Sequence, residues 1–306
     1  MDRKELDYYA EDKKRSEKKA EKEKNAKSPV NVWAVIAKVI IYVVLIAISI
    51  AVIYPLVYTV AGAFSPGEDI GSITVVPFQK GFTFSHFADL FTKTQYGLWF
   101  KNSLIIAAFT SIFTVIAATL SAYVFSRFRF AAKKPLLMSF MVLETFPSFL
   151  GMIALYVIIL KIGGFNQLWG LILIYIAANI PYNTWMIKSY IDTVPISLDE
   201  AAKIDGASNL RVFGQIVFPM AKPMVIFLGI TSFTAPWMDF IFPKFLLRTP
   251  DKMTVAIGLY SMISDKKDQF TLFAAGSLIV AIPFMIFFMM TQKMMITSLA
   301  GAAVKE

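Results

Sequence analysis

The sequence predicts an all-α integral membrane protein of six transmembrane helices, with N- and C-termini cytoplasmic and a short helical segment on the cytoplasmic side between spans four and five. Three observations predict it. Of 306 residues, 57% are apolar and 17% charged, and the mean hydropathy is +0.62. Soluble domains sit at about 45–50% apolar and about 25% charged, so polar side chains are too few to cover a soluble surface. Second, several windows reach the roughly 20 apolar residues that cross a hydrocarbon core of about 30 Å. Third, Lys and Arg are concentrated in alternate loops.

Residues 1–29 carry 10 Lys/Arg and 8 Asp/Glu with almost no apolar side chain. They cannot bury a core and are expected to form a disordered cytoplasmic tail, distinct from a membrane domain over 30–306. The spans follow at about 39–63, 102–126, 135–160, 162–187, 220–244 and 269–292. The first is far longer than the h-region of a cleaved signal peptide, about 7–15 residues, so it is read as a retained span. The third is interrupted only by Glu144. The fifth has Lys222 and Lys244 near its ends and Asp239 in its outer third. Pro147, Pro181, Pro236 and Pro283 fall within spans, where neighbouring helices can satisfy the freed carbonyls.

With the N-terminus inside, the inner segments collect 21 of the 30 Lys and Arg, among them Lys38, Arg127, Arg129, Lys133, Lys134 and Lys188. The outer segments hold the other 9, so both termini are assigned to the cytoplasm. The basic Arg127–Lys134 turn reads as a topology signal, with lipid head-group contact as the lesser option. Net charge is +9. Because it is mostly a record of topology, it gives no reason to expect nucleic acid.

The inner segment, about 192–222, is the most specific stretch. Pro195 ends the fourth span, Ser197 and Glu200 have the spacing of a capping box, and Asp199 suits a first helical turn. Gly206 is placed to close that helix in a left-handed conformation. A second short helix is expected from near Ser208 to Pro219. Helices this short are marginal in water and need a surface to pack on. Ala201, Ala202 and Ala207 would let another backbone approach, while Glu200, Lys203 and Asp205 supply charge around them. A docking surface is the expectation.

Glu200-Ala201-Ala202, three residues, Gly206, nine residues, Ile216, one residue and Phe218-Pro219 resembles the EAA signature of ABC-importer permeases, with Phe218 where the pattern has Leu. The resemblance extends over about 32–306. It includes the six spans, Trp237 and Asp239, and the run Leu299 to Lys305, which are similar to the shorter permease subunit of maltose-type oligosaccharide importers. It implies that the inner segment is a coupling helix seated in a cytoplasmic ATP-binding-cassette ATPase dimer. Glu200 would pair with a basic residue there, and Gly206 would allow the sharp turn. It also implies a second, homologous permease subunit, an extracytoplasmic sugar-binding protein, an oligosaccharide such as maltodextrin as cargo, and the plasma membrane of a prokaryote. No cofactor is expected in this chain, since ATP would be bound by the partner.

Other residues admit two readings each. Glu144 belongs either to the substrate path or to a hydrogen-bonded structural group beside Pro147, because an unpaired carboxylate within a span is costly. Trp237 and Asp239 suit a sugar face and its hydroxyls, but interfacial Trp is also a common anchor. Tyr182, Asn183 and Trp185 in span four are similar. His86 is expected on the surface of an outer loop.

With no Cys and one His, thiol chemistry, Cys-based metal sites and a catalytic triad are excluded or improbable. No GxxxxGK[ST] loop occurs, so ATP cannot be cradled by that route. An ion-gradient-driven secondary transporter is the alternative, but it should show paired intramembrane charges or matching broken helices. A membrane-embedded hydrolase would need a nucleophile–base pair that is absent. The chain is therefore not expected to be an enzyme.

Overall fold

The computed structural model describes residues 32–73, 78–145, 147–264 and 269–303. The tail at 1–29, together with Lys266, Lys267 and Lys305, lies outside them. The described residues form helices α1 (Val32–Phe64), α2 (Ser85–Thr92), α3 (Tyr96–Arg127), α4 (Lys133–Thr145), α5 (Ser148–Lys161) and α6 (Leu168–Ile191). These are followed by α7 (Ile196–Ile204), α8 (Asn209–Val212), α9 (Phe218–Met238), α10 (Ile241–Leu246), α11 (Val255–Ser264) and α12 (Phe270–Ala303). No strand occurs among the described residues. Two compact units divide within α1, one ending at Val57 and one starting at Tyr58. In the first, residues 32–57 are helix, and the large apolar side chains from Val35 to Val57 are exposed.

In the second unit α3 is central and packs most extensively on α6 and α9. Its sequence explains why. Ser103, Ala107, Thr110, Thr114, Ala118 and Ala122 recur at steps of three or four and are all buried on one face. Small residues let helix backbones approach where lipid offers no hydrophobic drive between helices. Leu104, Phe109, Ile112, Phe113, Ile116 and Leu120 are exposed on the other side.

The core clusters give the helix directions. Ile106 of α3 packs with Leu171 and Ile174 at the start of α6, whereas Ala122 and Tyr123 pack with Ile187 and Ile191 near its end. The two helices therefore run parallel. Val217, Ala221 and Val225 join the Ala122 cluster while Phe233 and Trp237 pack with Ala107, so α9 is antiparallel to both. Because α3 ends where α6 also ends, residues 128–167 must carry the chain back from one end of the bundle to the other.

Five helical segments among the described residues are long and apolar enough to cross a membrane: Val35–Phe64, Tyr96–Arg127, Leu168–Ile191, Asn209–Met238 and Phe270–Met289. The expected third span at 135–160 is instead divided into α4 and α5, of 13 and 14 residues. Pro147, the residue before α5, has ψ 119 and disfavours helix immediately before it. The fourth helix begins at Leu168 rather than Ile162. Gly163 and Asn166 both take positive φ, 77° and 57°, and the Asn166 amide side chain accepts the backbone N–H groups of Arg248 and Thr249. The fifth ends at Met238 because Asp239 turns extended and its Oδ1 accepts the Ile241 N–H at 2.8 Å, opening α10.

Candidate functional site

Between α6 and α9 the chain forms a helix, a tight turn and a second helix, starting from local chemistry. In α7, nine residues long, the N-cap position is Pro195, with no side-chain hydrogen bond to the first turn. The expected capping box does not form, because the helix starts one residue before Ser197 and takes it inside. Glu200 is therefore not held by a cap and stands exposed.

The turn forms as its glycine dictates. Gly206 has φ +82°, its N–H donates to Lys203 O at 3.0 Å, and the Ala207 N–H reaches back to Ala202 O at 2.9 Å. This is the paired 5→2 and 6→1 pattern that closes a helix on a left-handed residue. Ser208 then caps α8, its Oγ accepting the Arg211 N–H at 3.3 Å.

The second helix does not stop at Pro219 as expected. It passes through one π-helical turn, Phe213–Val217, into α9. There the Phe218 N–H donates to Phe213 O, one residue further back than in an α-helix. The widened turn accommodates Pro219, which has no N–H and whose ring would crowd the carbonyl four residues earlier.

The segment has two faces. Ala202 and Ala207 are half-buried and pack against the cluster of Tyr123, Ile187, Val212 and Val217; Ile216 is half-buried as well. Glu200, Ala201, Lys203, Asp205, Gly206 and Pro219 are exposed. The alanines are thus divided between the core and the open face. Beyond them stand two large apolar side chains that sequence reasoning did not single out, Ile204 at 87% and Leu210 at 75% exposure. Their signal was present: both are apolar residues flanking the turn in a polar stretch.

A buried ion pair fixes the inner face. Arg127, the last residue of α3, donates from Nε to Asp199 Oδ2 at 2.7 Å, with side-chain exposures of only 7% and 4%. Its Nη2 donates to Val194 O at 2.9 Å. Nearby, Ser126 Oγ donates to Asp192 Oδ1, and Lys188 Nζ to Asp192 Oδ2, both at 2.6 Å. Burial would raise the Asp192 carboxyl, but the hydrogen bonds from Lys188 and Ser126 and the Lys188 and Lys133 charges hold it below its ordinary value. Arg127 was read as a topology charge and Asp199 as a first-turn acid. Seventy-two residues separate them, and no local pattern links them.

The remaining candidates are scattered. Trp237 is buried, stacked with Phe233 at 5.6 Å, and donates its indole N–H to Val280 O at 3.2 Å. Asp239 has both oxygens engaged, Oδ2 accepting from Tyr175 at 2.6 Å and Oδ1 from Ile241. Asn183 is buried and donates to Asn179 O at 2.7 Å, along its own helix. Trp185 donates to Leu137 O, while Tyr182 is exposed. Glu144 is exposed on α4 and has no hydrogen-bond or ion-pair partner among the described residues. His86, expected at the surface, is buried instead, and its Nε2 donates to the Ser65 carbonyl at 2.9 Å.

Comparison with known proteins finds likenesses for the chain as a whole. A family model described as the binding-protein-dependent transport system inner membrane component matches residues 114–295. The "Maltodextrin transport system permease protein MdxG" of Bacillus subtilis (strain 168) is 40% identical over 272 residues, covering 89% of this chain and 97% of the relative. The "Galactooligosaccharides transport system permease protein GanQ" of the same organism is 40% identical over 257 residues, covering 83% and 90%. A subunit in the crystal structure of a bacterial ABC transporter involved in the import of the acidic polysaccharide alginate superposes with TM-score 0.77. It is 20% identical in sequence and covers 87% of this chain and 98% of its own, a likeness of fold.

Proposed function

Because the chain belongs to the binding-protein-dependent transport system inner membrane components, we propose that it is one of two permease subunits of an ATP-driven oligosaccharide importer, coupled to its ATPase through α7 and α8. As a permease it is an integral membrane protein and not an enzyme. The observation that carries the coupling reading is the two-faced segment: Arg127 and Asp199 fix its inner face, while Glu200, Ile204 and Leu210 project from the other. An apolar pair beside a carboxylate suits a cleft with an apolar floor and a basic rim. Such a cleft is what the ATPase dimer would supply.

In this reading the chain crosses the membrane six times, the third crossing made by α4 and α5 together, and both termini and the α7–α8 segment are cytoplasmic. The return of residues 128–167 between parallel α3 and α6 supports that crossing, and the excess of Lys and Arg supports the orientation. Closure of the ATPase dimer would move the segment, and the spans would alternate between outward and inward openings. An extracytoplasmic binding protein delivers the sugar. A related structure of the alginate transporter was determined with an oligosaccharide-bound periplasmic protein. Maltodextrin is the proposed cargo, because relatives named for maltodextrin transport match most of the chain.

The test is reconstitution of the complex with its ATPase, second permease and binding protein in proteoliposomes, measuring ATP hydrolysis with different sugars. Maltodextrins should stimulate it. Stimulation by galacto-oligosaccharides alone would move the cargo to the chemistry for which the second relative is named. Uptake that survives ATP depletion and collapses with a protonophore would replace the reading with a secondary transporter.

A further inference from the structure

We propose that Arg127 is a positioning residue that fixes the α7–α8 segment in a single orientation on the end of α3, so that displacement of the segment becomes displacement of that span. The proposal rests on the coupling reading above.

Its basis is the way one end of one helix grips the segment on both sides of its turn. Arg127 holds the chain before α7 through Val194 O and holds α7 itself through Asp199 Oδ2. One turn earlier in α3, Tyr123 donates its hydroxyl to Asn209 O, the first residue of α8, at 3.1 Å. Between them Ser126 binds Asp192 at the end of α6 and also receives the third Arg127 nitrogen, Nη1, at 3.3 Å. The Ile204–Ala207 turn is therefore spanned by contacts from a single helix end.

The chemistry of the grip favours orientation over stability. A buried ion pair is often no more stabilising than apolar residues of similar volume, because both charges must be desolvated. A planar guanidinium with donors in a fixed fork adds direction, and lysine cannot reproduce it. Asp199 Oδ1 is buried without a hydrogen-bond partner, so the carboxylate depends on Arg127. The adjacent carboxylates Asp199 and Glu200 thus have separate tasks, one turned in to the span and one turned out.

The experiment reads ATP consumed per sugar imported by the reconstituted complex. Arg127→Met should keep the ATPase subunits in the purified complex but raise that ratio by about threefold or more. Arg127→Lys should fall between. Arg127→Met combined with Asp199→Asn should regain thermal stability, because no uncompensated charge remains buried, yet keep the raised ratio, because the directed hydrogen bonds to α7 and Val194 O are still missing; a ratio restored to that of the unmodified complex would overturn the proposal. Lys93→Ala, which removes the exposed Lys93–Asp89 pair on α2, is the control and should leave the ratio unchanged.

A change in expression or thermal stability with an unchanged ratio would assign Arg127 a structural role and overturn the proposal. If Arg127→Met does not assemble, Arg127→Lys decides alone, and a normal ratio there overturns it. Failure of the underlying reading is separately visible. In that case Glu200→Ala with Ile204→Asp would leave the ATPase bound and stimulated, whatever the Arg127 variants do.

Discussion

Gly206 offers the sharpest test of the coupling segment, because the cost of replacing it can be worked from its surroundings. A Cβ built there meets nothing within 4 Å in this chain, so an added methyl group creates no clash within it. The whole penalty is conformational. At φ +82° an L-residue other than glycine costs roughly 1–2 kcal/mol, and a β-branched one more. The two hydrogen bonds closing the turn are worth about 0.5–1.5 kcal/mol each. Gain and penalty are of one size, so Gly206→Ala leaves the turn near balance and Gly206→Val tips it open. Asn tolerates the left-handed region better than either. Sugar-stimulated ATP hydrolysis should therefore rank Gly, Asn, Ala, Val, with Val reduced by about tenfold or more, since about 1.4 kcal/mol is tenfold. The assay is the reconstituted complex, normalised to the amount of this chain in the membrane. A Val variant at the unmodified rate, or an Asn variant no better than Val, would refute the reasoning.

Other outcomes follow from the same geometry. Glu200→Ala, or Ile204→Asp with Leu210→Asp, should release the ATPase from the purified complex while the chain still inserts in the membrane. Trp237→Ala should lower thermal stability, by about 3–5 kcal/mol for loss of a buried aromatic, and leave the rank order of stimulating sugars unchanged; Asp239→Ala should behave likewise. Gly170→Ala would drive its Cβ into the Gly164 carbonyl oxygen, a backbone atom that cannot swing aside, so its melting temperature should fall. The depressed Asp192 carboxyl contributes stability that is fully present above its ordinary value and is lost as pH falls through the lower folded value. The melting-temperature difference between the unmodified protein and Asp192→Asn should accordingly be constant around neutral pH and shrink as pH falls below the ordinary aspartate value.

What could be read from the sequence was what short-range rules determine. The glycine closing α7 and the Ser208 cap are local, and each sits where its residue type predicts. Lipid-facing helices are legible because hydrocarbon selects long apolar runs, though their ends are less so: Asn166 and Asp239 set two boundaries through hydrogen bonds to groups the hydropathy pattern does not register. The capping box failed because Pro195, not Ser197, took the position before the helix. The role of Asp199 was hidden because its partner arrives from another helix. Trp237 and Asp239 admitted two readings by residue type alone; the structure adds the partners that no local pattern names, Val280 O for the Trp237 indole and the Tyr175 hydroxyl and Ile241 N–H for the Asp239 carboxylate. His86 follows the same rule, since a polar ring on α2 finds a carbonyl 21 residues away.

The unbroken passage from α8 through the π-turn into α9 has a mechanical consequence. Asn209–Met238 is one continuous helical run of 30 residues, at most about 45 Å long at 1.5 Å per residue. Its foot lies in the segment that Arg127 and Tyr123 hold, and its tip lies beside Ala107 and Phe100 at the far end of the bundle. A tilt of about 5° at the foot would carry the tip by about 4 Å over that length, roughly the width of a side chain. The loosened turn at Phe213–Val217 marks the place along the run where such a tilt could be absorbed or passed on.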